Sequence, residues 1–329
     1  DLVRSRGLGD VYKRQEQGRS SFPNRPVLHP FLIRQDLRYM SFINAQQAQK
    51  ILIDRRTGKK IKIGGLLPST RKPPKASAYE TGRFGAGDLP ARIDLRPYMT
   101  RVEDQSNANS CTANAIAGAY EYLAKRAKGD AGDISRLFIY YNARAVDGIE
   151  KKDQGSAICS AIQALEEVGA CIEETWPYDI KNVNRPPHSG AFEEAKNFLV
   201  DDAKEVPVDL YAMKHCLAEG YPFVFGLRLF ESFDKARRGG LVPSPKPEDI
   251  GRKEHGGHAM LCVGYSDSNK CFIVRNSWGD DWGDNGYCYI PYDYLSNPQL
   301  CGDCWAIHSV TDLDSVSYTH LTLPTNREV

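Results

Sequence analysis

The spacing of hydrophobic residues changes once along this chain, and the change separates two kinds of structure. From Cys111 the apolar positions recur at helical spacing, with Ala115, Ala119 and Tyr122 on one face. After Pro222 they gather into short runs separated by Gly, Asp and Asn, as in β-strands. The pattern therefore predicts helices first and a sheet second.

Individual elements follow from this spacing. The predicted helices are Cys111–Lys125, Ile134–Arg144 and Ala157–Val168. The predicted strands lie in PFVFGLRL, HAMLCVGYS, KCFIVRNS and GYCYIPY. Helices and strands segregated in this way are typical of an α+β protein with two lobes, and ligand sites favour the cleft between lobes.

The regular pattern begins at Leu89, and the chain before it has a different composition. Residues 16–88 are polar and rich in Arg, Lys, Gly and Pro, with one amphipathic stretch over residues 41–53 that is consistent with a helix. Residues 64–88 have the prolines and glycines of a linker. We therefore predict an N-terminal extension over 16–88 and one domain over 89–313.

The two ends of the sequence are expected to have a separate origin. Residues 1–15 and 314–329 resemble translated sequencing-adapter read-through. We expect these ends to contribute nothing to the fold. A leader sequence cannot be judged from such an end, so the cellular location stays open.

Charge and composition narrow the range of partners. Of 329 residues 41% are hydrophobic, and 43 basic residues stand against 42 acidic ones, for a net charge of +1. This balance creates no field that concentrates nucleic acid or an anionic membrane. The longest apolar run, Tyr221–Phe230, is interrupted and falls short of the roughly 20 residues of a membrane span. We expect neither nucleic acid nor a membrane as partner.

The chain contains the groups that nucleophilic acyl transfer needs. Its nine cysteines are an odd number, so at least one thiol has no partner within the chain. Cys111 opens a predicted helix, where backbone N–H groups, the helix dipole and a nearby imidazolium would lower a thiol pKa. His258 would exchange the proton as an imidazolium paired with the thiolate, and Asn276 would accept its other N–H. Gln105 and the Cys111 N–H would donate hydrogen bonds to the oxyanion.

The sequence around these residues resembles that of the papain family of cysteine peptidases. The strings DQSNANSCTANA, GGHAMLCVGY and NSWGDDWGDNGYCYI surround Cys111, His258 and Asn276. The resemblance covers Leu89 to Leu313 and implies a papain-like α+β fold of two lobes. Its N-terminal lobe would be helical and its C-terminal lobe a β-sheet or barrel, with the active site in the cleft between them.

The same resemblance implies an activity. It implies a cysteine peptidase that hydrolyses peptide bonds through an acyl-thioester on Cys111, with peptide or protein substrates and no cofactor or metal. A monomer is expected, and a secreted, lysosomal or vacuolar location is open by analogy. Since the family usually carries a prosegment, residues 16–88 are either an inhibitory prosegment in the cleft or a disordered extension.

Further site residues are implied by the resemblance alone. Trp278 would shield the bond between the histidine and the asparagine from water, although a plain core aromatic is the ordinary alternative. Gly155 matches a position where backbone pairs with an extended peptide, and a simple turn glycine explains it equally well. Ser156, Asn109 and Ala259 are the other residues expected to bind substrate.

Three residues beside the nucleophile depart from the family pattern. Ala108, Asn109 and Thr112 stand where plant and lysosomal members have Cys, Gly and Trp. The missing cysteine removes one disulfide of that family, and the bulkier Asn109 would narrow a stretch that contacts substrate. The pattern is similar to a microbial branch of the family, and the departures bear on specificity and rate.

Two weaker features have ordinary alternatives. His255 competes with His258 for the catalytic role, but the apolar run after His258 suits a strand that starts there. Cys301 and Cys304, with His308, have a spacing seen in zinc sites, although structural thiols or a disulfide explain them better.

Two other functions fit the same residues. A catalytically silent, peptide-binding relative would explain the departures beside Cys111, and an amidase or transpeptidase would share the first half-reaction. The complete set of catalytic residues argues against the silent relative, because binding alone does not need it.

Overall fold

The structure is a computed structural model that describes residues 50–53, 58–129, 132–252 and 254–310. Both ends that resemble adapter read-through lie outside these ranges, as do residues 16–49 of the extension.

The helices lie mostly in the first half of the domain. The α-helices are α1 (Cys111–Lys128), α2 (Arg136–Val146), α3 (Ile158–Glu167), α4 (Ser189–Ala195), α5 (Leu210–Ala218) and α6 (Tyr292–Leu295). Short 3-10 helices are Arg96–Tyr98, Ile180–Asn182, Glu231–Arg237 and Pro247–Asp249. The three helices predicted from hydrophobic spacing correspond to α1, α2 and α3, with small differences at their ends.

The strands lie on both sides of the helical region in the sequence. They are β1 (Lys50–Ile53), β2 (Lys60–Ile63), β3 (Leu66–Leu67), β4 (Ser77–Ala78), β5 (Arg92–Asp94), β6 (Ser156–Ala157), β7 (Val200–Glu205), β8 (Phe223–Phe230), β9 (Glu254–Ser266), β10 (Cys271–Arg275), β11 (Tyr287–Pro291) and β12 (Cys301–Val310). The four predicted strands are β8 to β11, while β12 was not predicted.

One eight-stranded sheet organises the second half of the domain. Its order is β11-β10-β9-β8-β12-β7-β4, with β5 also paired to β9. Neighbouring strands are antiparallel except β4 and β7. Helix α1 packs against β9, and the core between them is apolar. The start of α1 and the middle of β9 therefore face each other across the boundary of the two lobes.

Two expectations about element boundaries were wrong. β9 begins at Glu254, so His258 lies inside a strand and does not open it. Residues 50–53 form a strand where the amphipathic pattern over 41–53 was consistent with a helix, and residues 41–49 lie outside the described ranges. A short amphipathic segment fits both the helical period and the strand period, so pairing with another strand decides which structure forms.

The described part of the extension is attached to the domain. β1 and β2 pair as an antiparallel hairpin, and β3 pairs in parallel with β6 of the domain. Residues 58–67, which include β2 and β3, are called the strap below. Ile61, Ile63 and Leu66 of the strap are buried, so an apolar edge fixes it to the domain.

A helix that crosses a bilayer needs roughly 20 predominantly apolar residues. Within the described ranges, none of the helices combines the length and the apolar character needed to cross a membrane.

Candidate active site

His258 and Asn276 form a hydrogen-bonded pair on adjacent strands. His258 lies in β9, and Asn276 directly follows β10, whose register places Arg275 opposite Leu261. The His258 Nε2 and Asn276 Oδ1 atoms are 2.8 Å apart, and the same oxygen accepts the Ser277 N–H at 2.8 Å. Because both donors converge on one oxygen, the amide is oriented and fixes the imidazole plane.

The other ring nitrogen of His258 is the reactive candidate. His258 is fully buried, and its Nδ1 has no hydrogen-bond partner among the residues that the structure describes. Unpartnered buried nitrogens are rare in folded proteins, so this one calls for a functional explanation. It is available to exchange a proton with a neighbouring thiol.

Trp278 packs beside this pair. Its ring centroid lies 5.0 Å from that of His258, and its side chain is buried. Trp282 packs edge-on against Trp278 at 5.0 Å. This packing is compatible both with the shielding role that the resemblance implies for Trp278 and with an ordinary core aromatic.

Cys111 is the first residue of α1 and is fully buried. Ser110 precedes the helix without a side-chain capping bond, because its hydroxyl pairs with Tyr178 Oη at 2.6 Å. The first backbone N–H groups of α1 therefore have no capping side chain. Backbone hydrogen bonding to the thiol involves Thr112 and also Ala259, the residue after His258, so the thiol lies beside the histidine strand.

Burial controls the protonation of both groups. Loss of solvent raises the pKa of Cys111 to about 11, while backbone hydrogen bonds from Ala259 and Thr112 oppose the shift. Burial also lowers the pKa of His258 to about 4, against the effect of its bond to Asn276. In the covered site, burial therefore disfavours the charged form of each group and acts against the effect of the helix terminus. The thiolate–imidazolium pair stays a prediction for the open cleft.

Gln105 lies near the N-terminus of α1 and is held there by three groups. Its Oε1 accepts the Ser277 hydroxyl at 2.6 Å, and its Nε2 donates to Ala108 O at 2.9 Å and to Lys62 O at 3.3 Å. Lys62 belongs to the strap. One of the amide hydrogens of Gln105 therefore points at a peptide carbonyl in the cleft, as an oxyanion donor would.

The residues expected to bind substrate lie along the strap. Ser156 N donates to Gly65 O at 3.0 Å. A Cβ on Gly155, whose φ is 98°, would stand 2.1 Å from the same oxygen, and a Cβ on Gly65 would stand 2.5 Å from Asn109 O. Glycine at 155 is thus required by the close approach of an extended chain. Within the described ranges, Ala259 does not contact the strap in this way: it is buried on β9 opposite Gly226, and its backbone forms a hydrogen bond with the Cys111 thiol.

Ion pairs fix the strap at both walls of the cleft. Lys59 Nζ lies 3.0 Å from Asp104 and 3.2 Å from Asp281, and donates to Trp278 O at 2.6 Å. Lys62 Nζ lies 2.6 Å from Asp153 Oδ2. The strap therefore lies along the cleft and contacts Gln105, Asp153 and Trp278.

The departures beside Cys111 have local partners. Thr112 shares a short hydroxyl–hydroxyl hydrogen bond with Ser156. Asn109 donates from its backbone N to Asp153 Oδ1 at 2.9 Å and from Nδ2 to Asp153 O at 2.8 Å. Hydrogen bonds thus join the loop before Cys111 to the loop before β6.

The weaker candidates lie elsewhere. His255 Nε2 pairs with Asp234 Oδ1 at 3.1 Å. The Cys301 and Cys304 sulfurs are 3.8 Å apart and buried, whereas the His308 ring stacks on Tyr221. Within the described ranges, no group of three or more potential ligands is arranged to hold a metal ion.

Sequence reasoning missed Asp153, and it did not single out the strap within residues 16–88. Asp153 carries no recognisable motif, and KIKIGGLL in the strap has only a brief alternation followed by two glycines. The alternation of apolar and basic residues in KIKI was the available signal for a strand. The position at which the strap binds depends on contacts with distant residues, which no local pattern encodes.

Comparison with known proteins places this geometry among related chains. A family model described as papain family cysteine protease matches residues 89–296. An uncharacterized peptidase C1-like protein of Acanthamoeba polyphaga mimivirus is 38% identical over 239 residues, which cover 69% of this chain and 76% of the relative.

Solved structures agree with this match. Xylellain, a cysteine protease from Xylella fastidiosa, superposes with a TM-score of 0.68 at 34% identity, covering 75% of this chain and 96% of that one. Digestive procathepsin L 3 of Tenebrio molitor superposes with a TM-score of 0.58 at 17% identity, covering 72% and 75%, and bears on the fold alone. The predicted two-lobe papain-like α+β fold is confirmed.

Proposed function

The chain belongs to the papain family of cysteine proteases and is a cysteine peptidase, and we propose that Cys111 is its nucleophile. His258 is the proton carrier and Asn276 orients it, within a catalytic domain over residues 89–313. The observation that carries this assignment is the His258 ring, held by Asn276 Oδ1 at 2.8 Å with Nδ1 buried and unpartnered among the described residues.

The reaction begins when the cleft opens to a peptide. The Cys111 proton moves to His258 Nδ1, and the thiolate attacks the peptide carbonyl carbon. Gln105 Nε2 and the Cys111 backbone N–H donate to the oxyanion, and each such donor is worth roughly 3 kcal/mol in comparable sites. His258 then gives its proton to the leaving amine as the C–N bond breaks, leaving an acyl-thioester.

Hydrolysis of the thioester regenerates the enzyme. His258 removes a proton from water, which attacks the thioester carbonyl, and the proton returns to the Cys111 sulfur as the C–S bond breaks. Asn276 keeps the ring in one orientation through both steps, and Trp278 excludes water from the bond that holds it.

We further propose that the strap is an inhibitory prosegment. Its carbonyls at Lys62 and Gly65 accept hydrogen bonds from Gln105 and Ser156, and its side chains Ile63 and Leu66 are buried against the domain. Such contacts exclude a substrate from the same groups.

Labelling with an epoxide inhibitor of papain-like enzymes tests both proposals. The full chain and a sample trimmed near Leu89 are treated, and mass spectrometry locates the adduct. We expect an adduct on Cys111 that forms faster after trimming, and none in Cys111→Ala. An adduct on another cysteine contradicts the assignment of Cys111 as nucleophile. Equal labelling rates before and after trimming contradict only the proposal that the strap inhibits the enzyme.

A further inference from the structure

Asp153 is a fixed carboxylate on the wall of the cleft that carries Cys111. Its Oδ1 accepts the Asn109 backbone N–H at 2.9 Å and the Tyr140 hydroxyl at 2.7 Å. The Tyr140 oxygen in turn accepts the Gly155 N–H at 2.9 Å. Because these donors come from separate segments, the carboxylate has little freedom, and its position is set before any substrate arrives.

Lys62 of the strap shows what this carboxylate faces. Its ammonium lies 2.6 Å from Asp153 Oδ2, with the two side chains 20% and 11% exposed. The carbonyl oxygen of the same residue accepts from Gln105 Nε2 at 3.3 Å. One residue of the strap thus presents its carbonyl to the oxyanion donor and a basic side chain to Asp153.

A substrate must present a carbonyl to the same donor. The residue whose carbonyl carbon is attacked would then have its side chain near the space that the Lys62 side chain fills. A partly buried carboxylate favours a cation over a neutral group of equal length and disfavours an anion.

We propose that Asp153 is a specificity-determining residue, which selects lysine or arginine at the substrate residue whose carbonyl is attacked. The proposal rests on the assignment of Cys111 and Gln105 given above. The strap is held by the same preference, since Lys62 takes the place of the substrate cation.

Matched peptides test the preference on the full chain. A fluorogenic series differs only at the residue before the cleaved bond, which is Lys, Arg, norleucine or Glu. Occlusion by the strap scales every rate by one factor, so ratios of kcat/KM are unaffected. We expect Lys and Arg to exceed norleucine by on the order of tenfold, and Glu to be cleaved least.

Variants separate charge from structure. Asp153→Asn keeps an oxygen that can accept from Asn109 and Tyr140 but removes the charge, and we expect its Lys to norleucine ratio to approach one. The matched control is Asp147→Asn, since Asp147 pairs with Arg71 at 2.9 Å instead of with the strap, and it should keep the wild-type ratio.

The outcomes are distinct. Cleavage that depends on Cys111 but gives equal rates for Lys, norleucine and Glu overturns the role of Asp153 and leaves the nucleophile intact. An unchanged ratio in Asp153→Asn does the same. Absence of any cleavage that depends on Cys111 overturns the assignment of the nucleophile, and the role of Asp153 with it. If Asp153→Asn does not fold, the wild-type ranking with Glu last still decides.

Discussion

The two walls of the cleft are built differently. The sheet wall consists of His258, Asn276 and Trp278, which lie in or directly after adjacent strands and are positioned by backbone register. Its side chains meet through one hydrogen bond and aromatic packing. The wall packs aromatic rings around one imidazole and holds it in one orientation.

The helical wall consists of Gln105, Asn109, Cys111, Asp153 and Gly155, which come from separate segments. Hydrogen bonds between side chains and backbone join these segments, as between the asparagine and the aspartate. This wall therefore supplies donors and charge, and the strap binds to it through peptide and ammonium groups. The sheet wall therefore orients the His258 imidazole, whereas the helical wall binds the extended chain of the strap.

Removing the nucleophile from the helical wall should have the largest effect. Cys111→Ala is expected to lower kcat by about 10⁴-fold or more, because no other group can form the acyl-enzyme. Cys271→Ala, at the start of β10, is the matched control and should retain turnover. Steady-state kinetics at matched concentrations of folded protein measure both, and residual turnover within tenfold of wild type in Cys111→Ala would contradict the assignment.

Acid should release the strap from the sheet wall. The covered site keeps His258 neutral down to a pKa of about 4, against an ordinary value of 6.5. Between these pH values the open state binds more protons, so the covered state loses stability as pH falls. The free energy that favours the covered state over the open state falls by about 3 kcal/mol in total, and this loss is complete below pH 4.

Hydrogen exchange of the strap in the Cys111→Ala chain measures this loss. Protection should fall as pH is lowered from 6.5 to 4, after correction for intrinsic exchange. His258→Gln removes the titrating group and should flatten the profile over that range. A wild-type profile that is equally flat would show that burial of the imidazole is not linked to the strap.

Asn276→Ala tests orientation by the sheet wall. Without Oδ1 the ring of His258 can turn, and kcat is expected to fall by about 10²-fold with little change in KM. A rise in KM with kcat preserved would instead assign Asn276 to substrate binding. Circular dichroism establishes that the variant is folded.

The smallest effect concerns the apolar edge of the strap. Ile63 is fully buried, whereas Ile51 on β1 is 50% exposed. Ile63→Ala should weaken the covered state by roughly 2 kcal/mol and speed epoxide labelling of Cys111 about thirtyfold. Ile51→Ala should change the rate less than about twofold. Equal rates in both variants would mean that ion pairs alone hold the strap.

Much of this protein was determined by local sequence. Helical spacing predicted α1 to α3, and apolar runs predicted β8 to β11, because periodicity is a short-range property. The motifs around Cys111, His258 and Asn276 predicted the family in the same way, and the comparisons confirmed it. Gly155 was recognised, although its requirement became clear only from the approach of Gly65.

Tertiary structure alone decided the rest. Pairing made residues 50–53 a strand, and distant partners gave Asp153 its neighbours and the strap its path past Gln105. The raised pKa of Cys111 and the lowered pKa of His258 likewise follow from burial under surrounding chain, which acts against the effect of the helix terminus. Sequence pattern encodes which residues are present and their local geometry, whereas desolvation and long-range contacts exist only once the chain is folded.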